Sequence, residues 1–415
     1  MGFIYNCLVY IAGFFLRLIA PFNPKLNLFI KGRKSVFTTL KEQISTRKTV
    51  KEAVIWVHTA SLGEFEQGLP VIEKLRIAYP TYKILVTFFS PSGYEVKKNT
   101  PAADFVSYLP LDTKYNANKF IKIVNPKLAI FVKYEIWPNY LNALKKQHIP
   151  TLLIAALFKK EQIFFKPYGS FIRKSLSNFT HFFVQDDQSQ KLLESIHLKN
   201  TSIGGDTRFD RVLEILDRDN TLDFMVPFKN NKFCLVAGST WPEDETILVD
   251  FINTSENDIK YVIAPHTIKK SHIKSLKAAL KKKTLLYSEL DEHTTFNYDV
   301  LLIDTIGLLT KIYHYADIAY VGGAFATGLH NTLEPAVFGI PVLIGPKYKK
   351  FKEAVDLVQR NGIITINDIN SFKTEIDKLY KQPEYASKTG AINANYIKQS
   401  KGASIQIIDF IRTLL

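Results

Sequence analysis

Asp304-Thr-Ile-Gly307, Tyr320-Val-Gly-Gly-Ala-Phe325 and His330-Asn-Thr-Leu-Glu-Pro335 decide how this chain is read. Residues 300–304 form a short apolar run, and Gly307 follows where a helix would begin. Residues 318–321 form a second run that ends on Gly322-Gly323, and Asn331 opens a new helix with Glu334 in its first turn. Open helix starts offer unpaired N–H groups and positive dipole ends, which suit a phosphate. A carboxylate beside them suits ribose hydroxyls. This stretch reads as a nucleotide pocket without a P-loop, and the same glycines also fit a pair of ordinary strand-to-helix turns.

Working outward, short apolar runs alternate with helical patterns. Residues 53–58, 83–89, 104–109, 128–133, 151–157 and 181–185 read as buried strands, with helices expected over 65–78, 139–147 and 188–196. Such alternation implies parallel sheets covered on both faces. Residues 212–231 lose the pattern between two polar clusters and read as a linker. Alternation resumes at 233–238, 260–264, 300–304, 318–321 and 342–344. The expected architecture is α/β, with two Rossmann-like doubly wound domains: residues 35–211, and residues 232–415 holding the nucleotide pocket. Ligands of such sheets bind beyond the carboxyl ends of the strands, here expected in a cleft between the halves.

Composition narrows the class. At 415 residues the chain has material for two or three domains, and 46% hydrophobic with 22% charged residues is ordinary for a globular protein. A net charge of +15 is not ordinary and points to nucleic acid, an anionic membrane surface or an acidic substrate. Two distant cysteines, Cys7 and Cys234, encode neither a disulfide framework nor a zinc site. No G-x-x-x-x-G-K-[ST] or G-x-G-x-x-G is present. No metal and no cofactor is expected.

Residues 1–34 stand apart. Positions 3–22 are almost wholly apolar, interrupted by Asn6 and Arg17. No acidic residue precedes Glu42, while Arg17, Lys25, Lys31, Arg33 and Lys34 are basic. A secretory signal would place its charge before the apolar run. A membrane-associated helix with a basic collar on the cytoplasmic side fits this pattern, and a buried core helix is the other reading.

One further segment has the grammar of a site. In Trp56-Val-His-Thr-Ala-Ser61-Leu-Gly63-Glu64 a buried strand runs into a small-residue loop and a helix start. A loop at a strand's carboxyl end is where a catalytic group belongs. Ser61 with Glu64 also spells a capping box. Both readings stand at this point.

Ser61-Leu-Gly-Glu64, Glu135-Ile-Trp-Pro-Asn139, Gly205-Asp-Thr-Arg-Phe-Asp210, Ala237-Gly-Ser-Thr240, Ala264-Pro-His266, Asp304-Thr-Ile-Gly307 and His330-Asn-Thr-Leu-Glu-Pro335 occur here in the order found in one family. The chain resembles the Kdo transferases of lipopolysaccharide assembly, Kdo being 3-deoxy-manno-octulosonic acid. The likeness extends over nearly the whole sequence. It implies a GT-B glycosyltransferase of the inner membrane's cytoplasmic face, with CMP-Kdo as donor and the lipid A precursor as acceptor, no metal and no nucleic acid. It makes Glu64 the general base and Arg208 a stabiliser of the transition state. Pro265 and His266, Ile306, Gly307 and Leu308, and Asn331, Thr332, Leu333 and Glu334 fall on segments that contact CMP. Ser61, Gly63, Glu135 and His330 are further candidates.

Three positions depart from the family pattern. Lys133 stands where many members carry a glutamate assigned to transition-state stabilisation, and inherits no such role. His266 stands where many carry arginine, and Leu329 where a glycine commonly precedes the histidine. The competing expectations are another GT-B transferase using a UDP-sugar for a lipid or cell-wall intermediate, a nucleotide-sugar epimerase, and a basic membrane-associated binding protein.

Overall fold

Strand β1 (Val54–Thr59) is buried at every position, as a strand covered on both faces must be. Its side chains alternate between two cores. Ile55 and Val57 join Ile84, Val86 and Leu128 on one side, while Trp56 joins Leu85, Phe131 and Tyr140 on the other. β1 pairs in parallel with β2 (Lys83–Phe88) and β4 (Pro126–Val132). With β3 (Phe105–Tyr108), β5 (Thr151–Ala156), β6 (His181–Val184) and β7 (Thr201–Ile203) they form a sheet of order 3-2-1-4-5-6-7. These elements come from a computed structural model that describes residues 2–45, 52–291, 294–326 and 328–415.

A second parallel sheet contains β8 (Phe233–Thr240), β9 (Ile259–Pro265), β10 (Thr284–Leu286), β11 (Val300–Leu302), β12 (Ile318–Val321), β13 (Val342–Ile344) and β14 (Ile363–Thr365), in the order 10-11-9-8-12-13-14. Leu235, Ala237, Tyr261, Ile263 and Leu343 fill its core with Phe251 and Phe372 from covering helices. The sequence reading located the inner strands of both sheets. It missed β7, β10 and β14, which are three-residue edge strands only partly buried and so without a fully apolar run.

The chain divides into two compact units, Met1–Arg211 with Lys401–Leu415, and Val212–Ser400. Two features differ from the expected boundaries. Residues 212–231, read as a linker, contain the helix Met225–Lys229, whose Met225 and Phe228 are fully buried and belong to the second unit. Five residues are too few to display amphipathic periodicity. The last helix, Ala403–Ile411, lies in the first unit, not with the rest of residues 232–415. Ile407, Ile408 and Ile411 enter the core around Ile55 and Val57. Asp210 anchors the helix start by accepting the Gly402 and Ser404 N–H groups, each at 2.6 Å.

The N-terminal stretch forms the helix Gly2–Ile19, a 3-10 turn Ala20–Phe22 and the helices Pro24–Lys31 and Val36–Ser45. By length and hydropathy, residues Gly2–Phe22 suffice to cross a membrane, and 11% of that window is buried. Phe3, Phe14, Phe15 and Phe22 are exposed. Arg33, expected in a basic collar, instead turns inward. Its guanidinium donates to the carbonyls of Leu109, Phe29 and Phe89 and sits 3.6 Å from the centre of the Phe29 ring. Burial lowers its pKa to about 9.

Candidate active site

The first sheet reverses its order between β1 and β4, and at such a switch point ligands bind beyond the strand ends. Glu64 follows β1 and Glu135 follows β4. Glu64 is the third residue of the helix Leu62–Ala78, with Ser61 as its extended N-cap. Its Oε2 accepts the N–H groups of Ala60 at 2.5 Å and Ser61 at 3.2 Å, which is the carboxylate's part of a capping box. Both bonds use Oε2, so capping leaves Oε1 outside the cap. The two readings of Glu64 therefore fall on different oxygens. Burial pushes the Glu64 carboxyl up to about 7, and the nearby Glu135 charge adds to the rise. The Ala60 N–H, the Lys133 ammonium and the Ser61 N–H pull the other way. Beside this helix start, the Gly63 backbone faces open space on its side-chain side.

Glu135 is held from behind. Its Oε2 accepts from His58 Nε2 at 3.0 Å and from Trp137 Nε1 at 2.7 Å. His58 is wholly buried, with Nδ1 2.8 Å from Thr87 Oγ1, which also accepts the Trp56 indole N–H at 2.8 Å. The parallel register sets His58 beside Thr87, so this relay is a product of strand pairing. Lys133, directly after β4, has φ +70°. That left-handed turn costs a non-glycine residue roughly 1–2 kcal/mol. It reverses the chain so that Glu135 returns to the His58 ring.

Arg208 begins the helix Arg208–Leu213. Its Nε and Nη2 donate to Asp206 Oδ2 at 2.9 and 2.6 Å, fixing the guanidinium plane. The adjacent Thr207 hydroxyl donates to the Gln67 carbonyl at 2.5 Å, one turn beyond Glu64 on its helix. Arg211 Nε lies 3.2 Å from Glu66 on the same helix. The Arg208 segment is thus packed onto the Glu64 helix by bonds spanning some 140 residues of sequence.

In the second unit the sheet reverses between β8 and β12. Asp244 organises that point, accepting from Trp241 N at 2.9 Å, Gly323 N at 2.8 Å and Tyr320 Oη at 2.6 Å. Gly323 has φ +97°, and a Cβ there would meet the Gly328 carbonyl at 2.2 Å, so only glycine fits. Trp241 stacks on His266 at 4.5 Å between ring centres and donates its Nε1–H to His330 Nε2 at 2.9 Å. An Nε2 that accepts is unprotonated. Burial, followed by the His266 charge, lowers the His330 pKa in agreement. Glu334 accepts from Thr310 Oγ1 at 3.1 Å and Asn331 Nδ2 at 3.0 Å. Thr332 is buried, and its hydroxyl has no hydrogen-bond partner among the described residues.

Two local expectations change here. β11 ends at Leu302, and Asp304 lies in the following loop, where it accepts the Ser288 N–H at 3.0 Å and its hydroxyl at 2.5 Å. The helices after Gly307 and Asn331 are the single turns Leu309–Ile312 and Leu333–Ala336. Each therefore offers local N–H groups and lacks the length for a strong macrodipole. Gly307, with φ +99°, and the 83% exposed Ile306 form the open loop ahead of the first of them.

Residues 36–211 match the family described as 3-Deoxy-D-manno-octulosonic-acid transferase (kdotransferase). The 3-deoxy-D-manno-octulosonic acid transferase of Aquifex aeolicus is 28% identical over 359 residues, covering 84% of this chain and 93% of its own. That of Haemophilus influenzae is 27% identical, with 87% of each chain covered. The first unit carries the family's match, and most of the chain is similar to these Kdo transferases. In fold it is similar to the UDP-GlcNAc 2-epimerase of Neisseria meningitidis, with a TM-score of 0.62 over 87% of this chain and 100% of that one. At 15% identity that likeness concerns the fold alone. Kdo transferases are glycosyltransferases of lipopolysaccharide synthesis, and two parallel-sheet units agree with the GT-B class.

The fold gathers the candidates into two sets. Ser61, Gly63, Glu64, Lys133, Glu135 and Arg208 belong to the first unit. Pro265 ends β9 in the second unit and His266 follows it, while Ile306 to Leu308 follow β11 and His330 to Glu334 follow the β12 loop. Sequence reasoning missed His58, Thr87, Trp241 and Asp244. A histidine ending an otherwise apolar strand, Val54-Ile-Trp-Val-His58, was the signal available for the first.

Proposed function

We propose that the chain transfers Kdo from CMP-Kdo to a hydroxyl of the lipid A precursor, lipid IVA, by direct displacement. The acceptor oxygen forms a bond to the anomeric carbon of Kdo while the bond from that carbon to the phosphate oxygen breaks, and CMP leaves. Glu64 takes the hydroxyl proton on Oε1. The observation that carries this reading is a carboxyl held near neutrality at a sheet's switch point, with one oxygen outside its capping bonds. A base with a pKa near the working pH combines an adequate ionised fraction with proton affinity. Arg208, oriented by Asp206, suits the charge growing on the departing phosphate. On the donor side, Glu334 suits the ribose hydroxyls, and the Thr332 hydroxyl supplies a buried polar atom ready for a ligand or a water.

We assign the protein to the cytoplasmic face of the inner membrane, because the exposed apolar helix and net charge of +15 suit an anionic leaflet. Incubating the full-length protein with a tetra-acylated lipid A precursor and CMP-Kdo should release CMP and yield a Kdo-bearing lipid. Addition of EDTA should leave the rate unchanged, since the mechanism assigns no step to a metal. Turnover with a UDP-sugar and none with CMP-Kdo would replace this reading with the other GT-B transferase.

A further inference from the structure

The N-terminal helix is fastened to the first unit through polar contacts, which fixes how it can meet a membrane. Tyr5 donates its hydroxyl to the buried Asp112 at 2.7 Å. Asn6 Oδ1 accepts from the Lys114 N–H and from Asn139 Nδ2, both at 3.1 Å. Asp112 also accepts the N–H groups of Asn139 and Tyr140. Gly13 lets the helix approach closely, since a Cβ there would come within 3.0 Å of Leu111. A helix crossing the bilayer would have to leave these partners behind or carry unsatisfied polar groups into hydrocarbon. Held where it is, it lies beside the unit with its apolar surface outward, as an interfacial helix does.

Along this docked helix runs a groove of about 620 Å³, shared with the helices Lys114–Val124 and Pro138–Lys146. Lys114, Lys146, Asn118 and Asn142 line it, Phe3 and Tyr10 stand at the helix side, and no carboxylate contributes. Neither Lys114 nor Lys146 has an ion-pair partner among the described residues. Two ammonium groups and side-chain amides, bordered by an apolar strip, match an anion attached to hydrocarbon. We propose that this groove binds the phosphate-bearing headgroup of an anionic membrane lipid, whose chains lie along the exposed face of the helix Gly2–Ile19. The assignment rests on the membrane reading above and adds to it a built recognition site.

The test uses the full-length protein and vesicles of phosphatidylcholine with and without phosphatidylglycerol. Wild type should bind the anionic vesicles more tightly. Lys114→Gln with Lys146→Gln should lower that affinity by roughly tenfold or more, and the exposed pair Lys25→Gln with Lys31→Gln distinctly less. Asn118→Asp, which keeps both lysines but places a negative charge in the groove, should reproduce the loss with unchanged thermal melting. Equal losses from the two lysine pairs would overturn the groove while leaving diffuse membrane attraction intact. Failure of the wild type to bind any vesicle would overturn the membrane reading and the groove together. Binding of inorganic phosphate by the groove with no preference for anionic over neutral vesicles would overturn the assignment to a lipid.

Discussion

Because Glu64 caps its helix through Oε2, a glutamine in its place keeps an oxygen for the Ala60 and Ser61 N–H groups while losing proton affinity. Glu64→Gln is expected to cut kcat by about two to four powers of ten with little change in melting temperature or CMP affinity; near-wild-type turnover would leave Glu64 as a cap alone. The pH profile follows from its charge neighbours. A base acts when ionised, so kcat/KM should rise as pH increases through about 7. Glu135 raises the Glu64 pKa and Lys133 lowers it. Glu135→Gln should therefore move the rise to lower pH, and Lys133→Met to higher pH. Profiles unmoved by either change would show that Glu64 does not set the limb. In the second unit, Glu334→Ala should weaken CMP binding by about 1.5–3 kcal/mol, the range for a charged hydrogen bond; calorimetry on the folded variant decides. Glu64 and Glu135 were legible in the sequence because motif and strand-end position coincide there. His58 was not, because its partners Thr87 and Glu135 are set by strand register, which no local pattern encodes.

Among the elements, the inner strands announced themselves as apolar runs, since burial on both faces demands them. The edge strands β7, β10 and β14 did not, because a half-exposed strand of three residues carries no continuous apolar run. The helix Gly2–Ile19 was legible as apolar but not in its placement. Its contacts come from two polar side chains, Tyr5 and Asn6, whose partners lie more than 100 residues away. Arg33 belongs to the same lesson, because a basic residue after an apolar run reads as a membrane collar until carbonyls from distant loops are seen to claim it. Deleting residues 1–31 removes the exposed apolar face and the Phe29 partner of Arg33, while sparing the Arg33 bonds to Leu109 and Phe89 and both sheets. The truncated protein should move from the membrane fraction to the soluble one and still melt cooperatively. Retention in the membrane fraction would place the attachment elsewhere.

For the whole molecule, the alternation of strands and helices made two Rossmann-like units readable, but not the return of the chain to the first. An amphipathic helix states that it will bury a face without stating against which sheet. Stopping the chain after Ser400 removes Ile407, Ile408 and Ile411 from the first unit's core. Fully burying one such side chain stabilises by roughly 1.5–3 kcal/mol, so the combined loss rivals the ~5–15 kcal/mol that holds a domain folded. Calorimetry should show the first unit's transition lowered or lost and that of Val212–Ser400 retained; two unchanged transitions would refute the helix's structural role. The same return of the chain imposes an order on protein synthesis. The unit that leaves the ribosome first cannot close until the whole of the other has been translated. During that interval its sheet lacks its isoleucine cover, while the exposed apolar helix Gly2–Ile19 is already out of the exit tunnel. Nascent chains stalled near residue 400 are therefore expected to cling to chaperones or to the bilayer, and chains released there to aggregate.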